Sequence, residues 1–173
     1  MNAAYENLIT RRSVRKYKPE QISDGELNAV LRAGTYAPTA KGEQSPLIVA
    51  VQDRGDIARL SSLNAQIQGT TGDPFYGAPT VVIVFAQAGN RNSVQDASLV
   101  MGNLMNAAHA LGLGSCWINR ARETFELPEG RELLTKWGVE GDWIGVGNCI
   151  LGYPDGPAPE AKPRKEGYVK IVK

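Results

Sequence analysis

A single histidine, His109, and two cysteines, Cys116 and Cys149, are the only imidazole and thiol groups in 173 residues. Zinc and iron sites need several such side chains converging, so no metal centre is expected. The cysteines lie far apart between apolar residues, which excludes a disulfide framework. Long hydrophobic runs are also missing. The longest strongly apolar stretch, about Val81 to Ala86, is far too short to span a bilayer. Met1 to Arg12 carries Glu6 and no apolar block, so no export signal is read there and the cytoplasm is the expected location. The net charge of only +1 gives no reason to expect a nucleic-acid partner.

Familiar catalytic motifs are lacking too. There is no G-x-S-x-G, no phosphate-binding G-x-x-x-x-G-K and no H-E-x-x-H. Gly145-Val146-Gly147 has Ile150 where a dinucleotide fingerprint needs its third glycine, which argues against a dedicated nicotinamide domain. Cys116 and His109 form a nucleophile pair only on paper. The apolar setting of Cys116 reads as a structural cysteine, and His109 as a core or interface residue.

What is present is ordinary globular composition: 42% hydrophobic and 21% charged residues. That supports one domain over 1–173, with an extended, proline-rich tail over 154–173. The pattern predicts a helix over 3–9 and a second one opened by a Ser23/Glu26 capping box and running to about Gly34. A strand follows at 47–51, a short helix at 56–63 and a mobile loop at 65–74. Further strands are expected at 80–86, 115–118 and 144–151, with a last one at 168–172. Pro128 suits the first turn of a helix reaching Trp137. The segment 93–111 is apolar on most faces, so it is read as a buried helix, one face on its own sheet and another on a second subunit. The fold class is α+β: a three-layer α/β/α sandwich, with a mixed sheet and helices on both faces.

Charge is concentrated at the two ends. Residues 1–20 carry a net +3 from Arg11, Arg12, Arg15, Lys16 and Lys18 against Glu6 and Glu20. Residues 160–173 carry another +3 from Lys162, Arg164, Lys165, Lys170 and Lys173 against Glu160 and Glu166. Solvated tails fit this pattern, and so does convergence on one anion. Arg11, Arg12, Ser13 and Arg15 place three guanidinium groups and a hydroxyl within five residues. Guanidinium forks match phosphate geometry and stay charged at any working pH.

The same segment, R-R-S-V-R-K-Y at 11–17, resembles the opening motif of the nitroreductase family of FMN enzymes. Ala37-Pro38-Thr39-Ala40-Lys41-Gly42-Glu43-Gln44 resembles its A-P-S-x-x-N-x-Q loop. Ala107 to Trp117 is similar to its A-A-x-x-L-G-L-G-S-x-W, and Leu151-Gly152-Tyr153-Pro154 with Lys162-Pro163-Arg164 to its closing L-G-Y-P…K-P-R. Four motifs in order span nearly the whole chain. The resemblance implies a homodimer with FMN in two clefts at the interface. Arg11, Ser13 and Arg15 would contact phosphate, ribityl chain and pyrimidine edge, with Arg12 at the family's second basic position. Pro38, Thr39 and Ala40 would line the isoalloxazine from the other subunit, with Gly42 and Gln44 in the same loop. Asn119 falls where the family's backbone nears the flavin N5 and O4 edge, and Lys162 and Arg164 would close on the phosphate. Gly42 departs from the family's asparagine, so a side-chain hydrogen bond there is lost.

The activity so implied is transfer of two electrons from NAD(P)H through flavin N5 to a nitroaromatic, quinone or related acceptor, by a ping-pong mechanism. No side chain is assigned as catalytic acid or base, since the flavin carries the chemistry. Arg15, with Lys16 second, is the candidate for stabilising charge near N1 and O2. A flavin-binding or storage protein with little reductase activity is the alternative.

Overall fold

Capping and glycine chemistry set the helix limits in the computed structural model, which describes residues 2–173. Helix α1 (Ala3–Thr10) is capped by Asn2, whose side chain accepts from the Tyr5 N–H. Helix α2 (Asp24–Thr35) carries the expected capping box: Ser23 Oγ accepts from Glu26 N–H, and Glu26 accepts from the Ser23 N–H. Strand β1 is Leu47–Val51. Helix α3 (Arg54–Gln68) begins at its Asp53 cap and ends at Gly69 in the left-handed region. It is longer than the expected 56–63, and takes in the first residues assigned to a loop. Its serines, asparagine and glutamines hid a buried stripe of Asp56, Leu60, Leu63 and Asn64. Strand β2 is Thr80–Gln87 and helix α4 is Ser93–Ala110. Strand β3 is Gly114–Ile118, and helix α6 is Pro128–Lys136 with proline in its first turn. Strand β4 is Trp143–Gly152. The six-residue helix α5 (Ala121–Glu126) was not expected; it has no side-chain cap to announce it.

The sheet order is β1-β2-β4-β3. Neighbouring strands all run antiparallel, and among the described residues parallel pairing enters only through the isolated bridge between Ser13 and Ser115. The sheet expected from sequence is a mixed one; its four strands pair antiparallel throughout. The physical reason lies between β1 and β2. Helix α3 climbs about 22 Å at 1.5 Å per residue, and 69–79 brings the chain back to the same sheet end. Val51 therefore pairs with Val81.

Helices cover both faces. In β2, Val82, Val84 and Ala86 enter one core with Val30 of α2 and Met101 and Leu104 of α4. Val81, Ile83 and Phe85 enter the other with Leu60 of α3, Phe125 of α5 and Leu133 of α6. Both faces being covered explains why this strand reads as an unbroken apolar run. Opposite it, β4 contains a bulge: Val84 pairs with Gly147 and Phe85 with Gly145, leaving Val146 unpaired.

Residues 168–172 form no strand, and Tyr168, Val169, Ile171 and Val172 are exposed. Alternation alone cannot make a strand where no free sheet edge meets it. The tail's start is fixed by the bridge between Tyr17 and Pro154 and by the Lys16–Asp155 ion pair at 2.7 Å.

Asp56 joins α3 to α6, accepting from Lys136 Nζ at 2.6 Å and Trp137 Nε1 at 2.8 Å. The Lys136 hydrogen bond, then that from Trp137, holds its carboxyl below the usual range. A lowered native pKa stabilises above the ordinary aspartate range, and that gain is lost as pH falls through the lowered value. Asp56→Ala is expected to cost about 2 kcal/mol at neutral pH. Melting curves against pH check this: the variant's loss should shrink in acid.

Candidate functional site

After α1 the backbone turns extended at Arg11. Val14 N–H then donates to the Ser115 carbonyl at 2.9 Å, and Lys18 N–H to the Tyr153 carbonyl at 2.9 Å. Residues 13–18 are thereby laced across the ends of β3 and β4. Glycines make room for them. A Cβ on Gly114 would lie 2.9 Å from Val14 Cγ1, and one on Gly152 2.9 Å from Tyr17 Cδ1. Tyr17 is buried, donates to the Val14 carbonyl at 2.7 Å, and has its hydroxyl pKa pushed up by burial.

This lacing distributes the basic side chains. Arg12 Nη1 donates to the Ile9 and Arg11 carbonyls, both at 2.8 Å, and so closes the end of α1. Arg11 is half-buried, and its Nη1 is buried with no hydrogen-bond partner. Ser13 is half-buried beside Ser115. Arg15 is exposed at the rim of a cavity of about 250 Å³, which Asn64, Gln68, Tyr76 and residues 116–120 also line. Arg15 and Asn119 thus share one cavity. Among the described residues, Arg11, Arg12 and Arg15 form no ion pair.

The loop at 38–44 is held differently. Ala40 N–H donates to Asp96 Oδ1 at 3.0 Å, and Gln44 N–H to Thr39 Oγ1 at 3.1 Å. Lys41, Gly42 and Gln44 all have positive φ, of 55°, 68° and 51°. Such backbone costs about 1–3 kcal/mol at each non-glycine residue, and it clusters at ligand sites. Thr39 and Gln44 line a second cavity of about 250 Å³ with Ala37 and Pro46. Pro38 is exposed and Ala40 half-buried nearby. The two cavities share no residue within one chain.

Lys162 and Arg164 lie exposed on the tail, where Arg164 donates to the Lys162 carbonyl at 2.6 Å. Among the described residues, no hydrogen bond or ion pair joins either of them to residues 11–15. Cys149 is fully buried and its thiol is pushed up to about 12, as suits a structural cysteine. His109 is half-buried against Thr10 Oγ1 at 2.9 Å; burial, then Arg11 and Arg12, hold its pKa below the usual value.

Sequence reasoning passed over four polar residues here. Asp96, buried at the start of α4, anchors the 38–44 loop. Asn64 and Asn148 are both 1% exposed and both bond the Asn119 carbonyl. Gln68 lines the Arg15 cavity. The signal for Asn148 was a lone amide inside an apolar strand, where burial demands a partner. A larger cavity, about 810 Å³, lies between α3 and the loop at 70–79. None of the site residues expected from sequence lines it.

The chain belongs to the nitroreductase family, whose model matches residues 8–155. It is similar over all its length to a nitroreductase with bound FMN from Bacteroides fragilis, with a TM-score of 0.92, 32% identity and full coverage of both chains. A protein of Archaeoglobus fulgidus, provisionally named NADH dehydrogenase/NAD(P)H nitroreductase, is 30% identical over 159 residues, covering 89% of this chain and 87% of that one. The NADPH-flavin oxidoreductase of Vibrio harveyi is 26% identical over 190 residues, covering 99% of this chain and 73% of its own. Among the described residues, no helix is long and apolar enough to cross a membrane.

Proposed function

We propose that this family member is an FMN-dependent oxidoreductase. It moves two electrons from NAD(P)H to a nitroaromatic, quinone or related acceptor, by a ping-pong mechanism in a homodimer. The observation that carries the reading is Arg11 Nη1, buried without a protein acceptor in a segment whose arginines have no carboxylate partners. Buried cationic donors are costly unless an anion meets them. A nucleotide phosphate supplies that anion.

The residues fit the group. Arg11 and Ser13 would hold phosphate and ribityl oxygens, while Arg15, at the cavity rim, would meet the pyrimidine end and offset charge there. Arg12 keeps α1 closed, so that Arg11 enters the site at a fixed angle. Lys162 and Arg164 add charge to the phosphate end from the tail. Bound FMN supplies the centre that accepts and donates hydride. Without a dinucleotide fingerprint, the nicotinamide is held by stacking, in the place the acceptor later takes.

The homodimer is supported by apolar side chains left exposed on α1 and α4. Leu99 is 48% exposed and Leu111 44% on or at the end of α4, and Leu8 is 61% exposed on α1. Two half-cavities per chain, one with Arg15 and one with Thr39 and Gln44, are what a site shared between subunits needs. Purified protein should show flavin absorbance and consume NADH only when an acceptor is added. A colourless preparation that takes up no FMN overturns the reading.

Gly42 favours a second reading, a flavin-binding or storage protein, because no side chain there assists the flavin. At φ +68° a Cβ would meet nothing within 4 Å. Asparagine tolerates this conformation better than most residues. Gly42→Asn is therefore expected to fold, with Tm within about 4 °C of wild type. One added hydrogen bond of about 1 kcal/mol should raise the rate of flavin reduction about fivefold in stopped-flow measurements. An unchanged rate removes the support Gly42 gives to the second reading.

A further inference from the structure

Two buried amides converge on one backbone oxygen beside the Arg15 cavity. Asn64 Nδ2 donates to the Asn119 carbonyl at 2.7 Å, and Asn148 Nδ2 to the same carbonyl at 3.3 Å and to that of Ile118 at 3.3 Å. Their partners only accept, so the nitrogen of each amide must face them. Asn64 Oδ1 and Asn148 Oδ1 are both buried without a partner. One donor satisfies a carbonyl for stability. A second, with two unpartnered oxygens left in the interior, is more than stability alone requires.

The surrounding backbone is equally constrained. Arg120 sits at φ 75°, a strained conformation for arginine. Ala121 is fully buried, and a Cβ on Gly145 would lie 2.4 Å from its carbonyl oxygen. The peptide between Asn119 and Arg120 is trans. In a trans peptide the C=O and N–H point in opposite directions. With the Asn119 oxygen drawn toward the two amides, the Arg120 N–H points the other way. Residues 116–120 form a wall of the Arg15 cavity. Among the described residues, no backbone acceptor outside the regular elements takes the Arg120 N–H.

We propose that Asn64 and Asn148 are positioning residues, which clamp the Asn119 carbonyl so that the Arg120 N–H is presented to the N5 and O4 edge of the flavin. This rests on the FMN reading above. The asparagines act through the backbone: they fix the donor that meets the flavin. A preset donor costs no reorganisation when charge develops.

The test uses the full-length, 15N-labelled protein with and without FMN. In wild type, FMN should slow exchange of the Arg120 amide hydrogen by about tenfold or more. Asn64→Leu with Asn148→Leu should lose most of that protection, while in Asn148→Leu alone, a residue outside the cavity lining, FMN affinity, held by Arg11 to Arg15, stays within about tenfold. Each single variant keeps one donor and should fall between; if the double variant does not fold, the singles carry the comparison. Protection equal to wild type in the variants overturns the proposal, as does FMN bound to wild type without protection at Arg120. If wild type binds no FMN, the function reading fails instead. The clamp is then read in the flavin-free protein, where Asn148→Leu must move the Arg120 amide resonance; an unmoved resonance overturns it.

Discussion

Arg11→Ala is expected to weaken FMN binding by about 10- to 150-fold, from the 1.5–3 kcal/mol that a charge-assisted hydrogen bond contributes. The expectation follows from how Arg11 is held. Its Nη1 is buried and meets no protein acceptor; the neighbouring Arg12 donates from Nη1 to two carbonyls, with its own Nε also buried and unpartnered. A surface arginine would lose little on truncation. A buried one without a partner destabilises the flavin-free chain and stabilises the loaded one. Arg11→Met, which keeps the apolar stem, should therefore melt at or above wild type without FMN and below it with FMN. Arg15→Ala should also bind FMN less tightly, with its fold unaffected, because Arg15 is exposed at the cavity rim. Titration by flavin fluorescence checks both. Unchanged affinity in Arg11→Ala and Arg15→Ala would refute the phosphate and pyrimidine assignments. Lys162→Ala and Arg164→Ala should show the same effect more mildly, since both lie on the exposed tail.

Gly145→Ala is expected to cost about 3 kcal/mol, at the upper end for overpacking. The added Cβ would lie 2.4 Å from the Ala121 oxygen and 2.5 Å from the Ala121 carbonyl carbon. Both are backbone atoms of a buried turn, so no side chain can swing aside. For a chain of this size the loss is about 6–12 °C in Tm. The variant should also disturb Asn119 and Arg120, lowering flavin affinity along with stability. Gly102→Ala is the contrast. In α4, a Cβ there would meet nothing within 4 Å in the same chain, and alanine should add up to about 1 kcal/mol of helix stability. A destabilised Gly102→Ala would mean that a second copy covers this face. Calorimetry on the two variants gives both answers.

The legible parts of the fold were those where local chemistry and burial agree. The Ser23/Glu26 box specifies the start of α2 by itself. Strands β1 and β2 are apolar runs of strand length, and the residues that bury them are the residues that define them. Strand direction was not legible, because it depends on where the 69–79 loop returns the chain, and no residue type encodes that. Helix α5 was hidden because its start depends on Arg120 in a left-handed conformation and on space left by Gly145 across the sheet. At the site, the charge of Arg11 and Arg15 was readable one residue at a time. The amides of Asn64 and Asn148 were not, since their meaning lies in one carbonyl reached from two elements far apart in sequence.

The bulge at Val146 has a consequence for chain length. Cys149 and Leu151 face the core under α2 and α4; the unpaired Val146 faces it as well, and so does Ile144 beyond it. Side chains alternate with a period of two, so one extra residue changes odd positions to even along β4. Loss of Val146 would remove the bulge and leave a regular ladder, Gly147 on Val84 and Gly145 on Phe85, with Ile144 still on the α2–α4 side and Trp143 still on the α5 side. At Val146 a one-residue gap takes out the extra residue and leaves both faces of the strand as they were.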